Sequence, residues 1–155
     1  MVRAALLDAG IAPHQLTLEI TEGLLVEDGE RIQRQLRELE QIGVGLAVDD
    51  FGTGYSALSY LRSFPLDVLK IDRSFVAGID HDPDRARLVR DIVEMAHNLG
   101  LRVVTEGIEE PGEAALVRDL RSDYGQGYWF SRPVDPVGID RMLSGGPAVD
   151  ALRAA

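Results

Sequence analysis

Residues 44–72, VGLAVDDFGTGYSALSYLRSFPLDVLKID, decide the fold class because they contain two strand patterns with a helix pattern between them. The aliphatic and β-branched runs at 44–50 and 68–72 predict the strands. Apolar residues at helical spacing predict a short helix over 55–64, which ends before Pro65. Strand, helix and strand in succession are typical of an α/β protein with a parallel sheet.

The same alternation continues along most of the chain on both sides of this unit. Further strands are predicted over residues 16–21, 102–108 and 126–130, and helices over 27–42, 84–99, 111–120 and 136–143. The fold class is therefore α/β, with five strands that belong to a doubly wound sheet or to a barrel. The sequence contains neither a Gly-x-Gly-x-x-Gly fingerprint nor a Walker A loop, so the usual nucleotide-binding sheets are not indicated.

The composition narrows the classes of partner. The 155 residues are long enough for one domain with a single core, and their formal net charge is −10. Such a charge repels nucleic-acid polymers and anionic membranes, and no apolar run approaches the roughly 20 residues of a membrane span. The chain has no cysteine, which excludes disulfides and thiolate metal sites. We expect a cytoplasmic protein, because the lack of cysteine fits a reducing compartment.

Ionisable or polar side chains recur at the ends of the predicted strands. They are Glu19, Glu22, Asp49, Asp50, Lys70, Asp72, Glu106, Glu109 and Gln126. In α/β barrels the C-terminal ends of the strands converge on one rim, where functional sites are built. Strand alternation places small and ionisable residues on the face opposite the aliphatic ones, as expected of a barrel interior with a site at its mouth.

Each of these residues also has a structural explanation. A single Asp at a strand end usually forms a turn, and the pair Asp49-Asp50 could begin a turn that the following glycines permit. Lys70 could form an ion pair with Asp72, and Glu109 could favour the start of the next helix through its dipole. Taken together, however, several buried carboxylates in one pocket require cations. Hard divalent ions and the lysine would supply them, which predicts an acidic metal pocket without identifying its substrate.

The motifs resemble those of one known family in their order and spacing. Residues 16–133 are similar to EAL domains, through LEITE (18–22), DDFGTGYS (49–56), LKID (69–72), EGIE (106–109) and QGY (126–128). The resemblance implies a modified TIM barrel with one antiparallel strand. It also implies hydrolysis of cyclic-di-GMP to the linear dinucleotide pGpG, with two Mg²⁺ or Mn²⁺ ions as cofactors.

The resemblance implies a role for each matching residue. Glu19 corresponds to a ligand of the first metal, and Asp49 to the carboxylate that bridges both ions. Asp50 and Glu106 correspond to ligands of the second metal.

A further set of residues resembles the family's supporting groups. Lys70 corresponds to the residue that holds the attacking water, and Glu22 to the one that steadies the DDFGTG loop. Gln126 and Glu109 correspond to supporting groups of the same site.

The chain also departs from the family pattern. It contains neither the Glu-Ala-Leu motif and its following Arg nor the Asn of the next family strand, so the first metal would lose half of its protein ligands. A complete TIM barrel needs roughly 250 residues. We therefore expect a partial EAL domain over residues 1–143, with motifs over 16–133, followed by a tail over 144–155. We expect this chain to be inactive alone.

Because the chain is too short for a complete barrel, we expect the barrel to be open and one strand edge to be available to partners. An uncovered edge of the strand over 16–21 would favour self-association, or pairing with a missing N-terminal half or with a sensor domain. The alternative is a degenerate EAL module that binds the dinucleotide or a protein without hydrolysis.

Overall fold

The computed structural model describes residues 1–26, 29–52 and 61–144. The strands are β1 (Thr17–Thr21), β2 (Gly45–Phe51), β3 (Val68–Ile71), β4 (Arg102–Thr105) and β5 (Tyr124–Gly125). The α-helices are α1 (Val2–Ala9), α2 (Glu22–Val26), α3 (Gly29–Ile42), α4 (Pro83–Asn98), α5 (Pro111–Asp119) and α6 (Pro136–Leu143). The five strands form one sheet in chain order, and their alternation with helices confirms the α/β class. The predicted helix over 55–64 falls largely, and the tail after residue 144 wholly, outside the described residues.

The chain divides into two compact units. The first contains Met1–Asp72 and Met95–Val103, and the second contains Arg73–Glu94 and Val104–Ala155. β1, β2, β3 and the first half of β4 belong to the first unit. The second half of β4 and all of β5 belong to the second.

The sheet of the first unit has a parallel register that follows from the apolar alternation. Residues Thr17 to Thr21 of β1 lie opposite Gly45 to Asp49 of β2, and β2 pairs with β3 through Ala47 opposite Val68. The register shifts between Val48 and Phe51. The largest fully buried side chains of this sheet are Leu46, Val48, Leu69 and Ile71. Removing such aliphatic surface from water is the main stabilising contribution to a core of this kind.

In the second unit the fifth strand lies before its predicted position. The prediction of a strand over 126–130 is wrong, because β5 ends at Gly125 and pairs with β4 through Val104 opposite Tyr124. The next residues turn back: the Trp129 N–H donates to the carbonyl of Ile108 at 3.0 Å. Gly127 permits this turn, since a Cβ there would overlap the Ile108 backbone.

The aromatic residues of this turn are also placed differently from the prediction. In a strand over 126–130, the alternation of Tyr128, Trp129 and Phe130 is typical of core packing. Instead, Tyr128 and Trp129 are half exposed, and the guanidinium of Arg132 lies 4.6 Å from the centre of the Tyr128 ring. The turn removes the period-two pattern on which the core prediction depended.

A buried carboxylate stabilises the second unit. Glu113, in the first turn of α5, accepts hydrogen bonds from the backbone N–H groups of Gly78, Glu109 and Glu110. Burial by itself raises the pKa of the Glu113 carboxyl, but the three donors outweigh burial and hold the pKa below that of an ordinary glutamate.

The lowered pKa of Glu113 predicts how stability depends on pH. A carboxyl whose pKa is lower in the folded than in the unfolded chain stabilises the fold above its unfolded pKa. That contribution is lost as the pH falls through the folded pKa. We expect urea unfolding to show Glu113→Gln less stable than the parent chain near neutral pH, with a smaller further loss on acidification below about pH 4. Glu94→Gln, an exposed position on α4, is the matched control. The prediction would be contradicted if acidification lowered the free energy of unfolding of the parent and of Glu113→Gln by the same amount.

Candidate functional site

Three ionisable side chains meet on the sheet of the first unit. Lys70 Nζ lies 2.7 Å from Glu19 Oε1 and 2.9 Å from Asp49 Oδ1. The register explains the meeting, because Glu19 lies level with Ala47 of β2, which in turn lies level with Val68 of β3. Asp49 and Lys70 each follow two residues later on their strands and so project from the same face. The predicted grouping of these residues at the strand ends thus has a direct geometric basis.

The three side chains differ in exposure. The Lys70 side chain is 7% exposed, whereas those of Asp49 and Glu19 are 23% and 52% exposed. An ammonium group removed from water is costly unless carboxylates compensate it, and these two carboxylates do so. The lysine therefore lies at the base of the cluster, and the carboxylates lie between it and solvent.

Asp49 has a buried oxygen that is only partly satisfied. Among the described residues Oδ1 has no hydrogen-bond partner, although Lys70 Nζ is 2.9 Å away. The two observations agree if the contact is electrostatic but badly angled for a hydrogen bond. A buried carboxylate oxygen left in this state retains capacity for a cation, and oxygen donors of this kind suit Mg²⁺ and Mn²⁺.

The adjacent aspartate lies in the stretch of β2 where the register is irregular. Asp50 is exposed and has a φ of 55°, in the left-handed region that a side chain usually avoids. Asp and Asn adopt this region more readily than other residues, yet it still costs about 1–2 kcal/mol. A strained residue beside the cluster is typical of a functional site.

Glu22 contacts the loop that follows β2. This buried residue begins α2, and its Oε2 accepts a hydrogen bond of 3.1 Å from the Gly52 N–H. The role of Glu22 in steadying the whole DDFGTG loop stays a prediction. The loop beyond Gly52, over residues 53–60, lies outside the described residues.

In the second unit, Glu106 belongs to a loop whose backbone is closely held. The Ile108 N–H donates to the Gln126 carbonyl, and the Gln126 N–H donates to the Thr105 carbonyl. Gly107 has a φ of 72° and packs so tightly on Arg73 that a Cβ would overlap that side chain. Gln126 thus contacts the loop through its backbone, a contact that its side-chain type does not predict.

Glu109 and Glu113 are the other acidic residues of this region. Arg73 Nη1 lies 3.6 Å from Glu109 Oε1, a long and exposed ion pair. The sequence analysis did not identify Glu113. A signal was available, because a Glu three residues after the N-cap of a helix is a known start signal. The loop therefore contains two predicted site residues and is held by a third carboxylate.

In the part of the chain that the structure describes, no helix has the length and apolar character needed to cross a bilayer.

Comparison with known proteins identifies the family. The EAL domain family model matches residues 1–133, and the chain belongs to the EAL domain family. It is 43% identical over 142 residues to the cyclic di-GMP phosphodiesterase NbdA of Pseudomonas aeruginosa.

Two solved structures show the same fold. One is the PaMucR phosphodiesterase in complex with c-di-GMP, which superposes with a TM-score of 0.83 at 38% identity over 89% of this chain. The other is the manganese and cyclic-di-GMP complex of Klebsiella pneumoniae BlrP1, with a TM-score of 0.77 at 34% identity over 85% of this chain. Members of the family therefore bind cyclic-di-GMP, one of them together with manganese.

The chain spans only part of these relatives. It covers 18% of NbdA, 56% of the PaMucR chain and 34% of the BlrP1 chain.

The ion contacts of Lys70 predict that the fold becomes less stable when the lysine ammonium group is removed. Lys70→Met should lower the free energy of unfolding by about 2 kcal/mol, because two neighbouring carboxylates lose the ammonium that compensates them. Urea denaturation followed by circular dichroism measures the change. Arg90→Met, which removes one positive charge from an exposed position on α4, should have little effect. A Lys70→Met variant as stable as the parent would show that the ion contacts do not stabilise the fold.

Proposed function

We propose that the domain to which this chain belongs hydrolyses cyclic-di-GMP to pGpG in bacterial second-messenger signalling. One observation carries the proposal: Lys70 is buried between Glu19 and Asp49, at positions that match the family motifs. The 43% identity to a cyclic di-GMP phosphodiesterase supports this choice of substrate. The substrate is a small dinucleotide, so the net charge of −10 is compatible with it only if cations neutralise the site locally.

The cations are Mg²⁺ or Mn²⁺ ions held by carboxylates. As the family motifs imply, Asp49, Asp50 and Glu106 would be ligands of one ion, and Glu19 would be a ligand of another. The buried, partly satisfied oxygen of Asp49 supports this assignment. The chemistry that such ions supply when bound is neutralisation of charge on the phosphodiester and activation of the attacking water.

The remaining side chains position the reacting groups. Lys70, fixed by two carboxylates, would donate a hydrogen bond to the attacking water and so help to position it. Glu22 steadies the loop after β2 through the Gly52 N–H. Glu109 and Gln126 support the same site from the loop that contains Glu106.

The 155 residues also define what must be added for turnover. They contain no Glu-Ala-Leu sequence, and the first ion would therefore be held by an incomplete set of ligands. Within the described residues β1 pairs with β2 along one edge only. Beside β1 lies a groove of about 640 Å³, lined largely by apolar residues of β1, α2 and α3 and by the start of α1. We expect this edge to be covered by a segment that carries the missing ligands, by a sensor domain or by a second copy of the chain. We propose a cytoplasmic location, because a sequence without cysteine fits a reducing compartment.

Metal binding by the chain alone tests the ligand assignment. We expect calorimetry to show one weak Mn²⁺ site rather than two comparable ones, because Asp49, Asp50 and Glu106 are all present while the other set is incomplete. Asp50→Asn should weaken binding by about tenfold or more, since a charged ligand is lost. Asp91→Asn, an exposed position on α4, should leave the affinity unchanged. Two comparable sites, or a site indifferent to Asp50→Asn, would contradict the assignment.

Activity is tested by release of pGpG from cyclic-di-GMP. The chain alone should give no measurable turnover, because positioning the water requires both ions. Adding a family segment that contains Glu-Ala-Leu, fused or as a separate chain, should restore turnover that Glu19→Gln, Asp49→Asn and Lys70→Met each abolish.

Two outcomes would change the proposal. Rapid turnover by the chain alone would show that the missing ligands are dispensable. An inactive but dinucleotide-binding complex would instead support a regulatory module that binds without hydrolysis.

A further inference from the structure

We infer that Glu113 is a positioning residue for Glu106, because its carboxylate holds the loop over residues 106–110 against the turn at Gly78. Glu113 belongs to none of the motifs that mark the family resemblance. The inference rests on the proposed function, in which Glu106 is a metal ligand. It concerns how that ligand is held in place, not whether it binds metal.

The two oxygens of Glu113 serve two different segments. Oε1 accepts a hydrogen bond of 2.8 Å from the Gly78 N–H. Oε2 accepts from the N–H groups of Glu109 and Glu110 at 2.9 and 3.1 Å. One side chain therefore joins the end of the Glu106 loop to the segment between β3 and α4.

The position of Glu113 makes this connection rigid. The residue is 5% exposed and lies in the first turn of α5, directly after Pro111 and Gly112. The free N–H groups at a helix start and the helix dipole both favour a carboxylate there. With its pKa lowered, the carboxyl is ionised at neutral pH and accepts all three hydrogen bonds as a charged group.

The loop that contains Glu106 is anchored on both sides. On one side the Gln126 N–H donates to Thr105, the residue before Glu106. On the other, Ile108 is buried and its N–H donates to Gln126. Glu113 supplies the acceptors for the next two N–H groups, so its removal would leave both donors without their partner and release the end of the loop.

Loss of that anchor should weaken metal binding, because Glu106 would no longer be held in place. A ligand that must be ordered on binding gives weaker affinity than one already held in place. Substitutions of groups that orient metal ligands typically weaken metal binding by about 10- to 100-fold. Gly107 brings the loop into close packing with Arg73, which leaves little room for Glu106 to adjust when the anchor is intact.

A double-mutant cycle on Mn²⁺ affinity tests the inference with the 155-residue chain. Glu113→Gln keeps the shape of the side chain but leaves one oxygen, which cannot accept from both segments. We expect it to raise the Mn²⁺ Kd by about tenfold in the parent chain and to have almost no further effect in a Glu106→Gln background. Glu94→Gln, exposed on α4, removes the same charge and should leave Kd unchanged.

The cycle separates failure of the inference from failure of the proposed function. If Glu106→Gln does not weaken Mn²⁺ binding, the proposed metal site is wrong and the inference falls with it. If Glu106→Gln weakens binding but Glu113→Gln does not, only the inference is overturned. An equal loss from Glu113→Gln in both backgrounds also overturns it, because a general structural effect would not depend on Glu106.

Amide hydrogen exchange tests the same coupling without a substitution. If a held loop favours metal binding, bound metal must favour the held loop by the same free energy. Mg²⁺ should therefore slow exchange of the Glu109 and Glu110 N–H groups by several-fold, and leave the amides of α3 unchanged. Equal exchange with and without Mg²⁺, at concentrations that saturate the site, would overturn the inference even if Glu113→Gln failed to fold.

Discussion

The ammonium of Lys70 is the group on which the first unit depends. A buried positive charge needs anionic partners, and the parallel register of β1, β2 and β3 supplies Glu19 and Asp49 on the same face. The apolar alternation that builds the sheet thus also fixes the distances within the cluster. A slip of one residue in any of these strands would turn the ionisable side chain to the other face and expose the aliphatic stripe. Core packing and site geometry are therefore consequences of the same register.

The two units hold their acidic residues by different means. In the first unit the carboxylates are held through the charge of a side chain, and Asp49 keeps a buried oxygen that is not fully satisfied. In the second unit the loop around Glu106 is held through backbone hydrogen bonds, to Gln126 and to Glu113. Both sets lie within residues 1–133, the part of the chain that matches the EAL domain family model.

Much of this arrangement could be predicted from sequence, since it rests on periodicity. The strands around Leu46 and Leu69 and the helix of α4 follow from patterns of period two and 3.6, and the structure agrees within a few residues. The fifth strand was misplaced because Tyr128, Trp129 and Phe130 mimic a strand, whereas the turn depends on a close approach of Gly127 to Ile108 that no local pattern records. Likewise, alternation put Lys70 on the right face, but the contacts with Glu19 and Asp49 depend on a register between distant strands. Glu113 was missed because its three donors come from two separate segments.

The position of Glu113 in the chain has a consequence for the order of folding. Synthesis proceeds from the N-terminus, so Glu106 and its loop leave the ribosome before the helix that contains Glu113. Until α5 forms, the N–H groups of Glu109 and Glu110 lack their side-chain acceptor, and the end of the loop lacks one of its anchors. Glu106 directly follows β4, and its loop is fully held only when the chain beyond it has folded back. The native loop around Glu106 is thus completed only after a helix that follows it in the chain has formed.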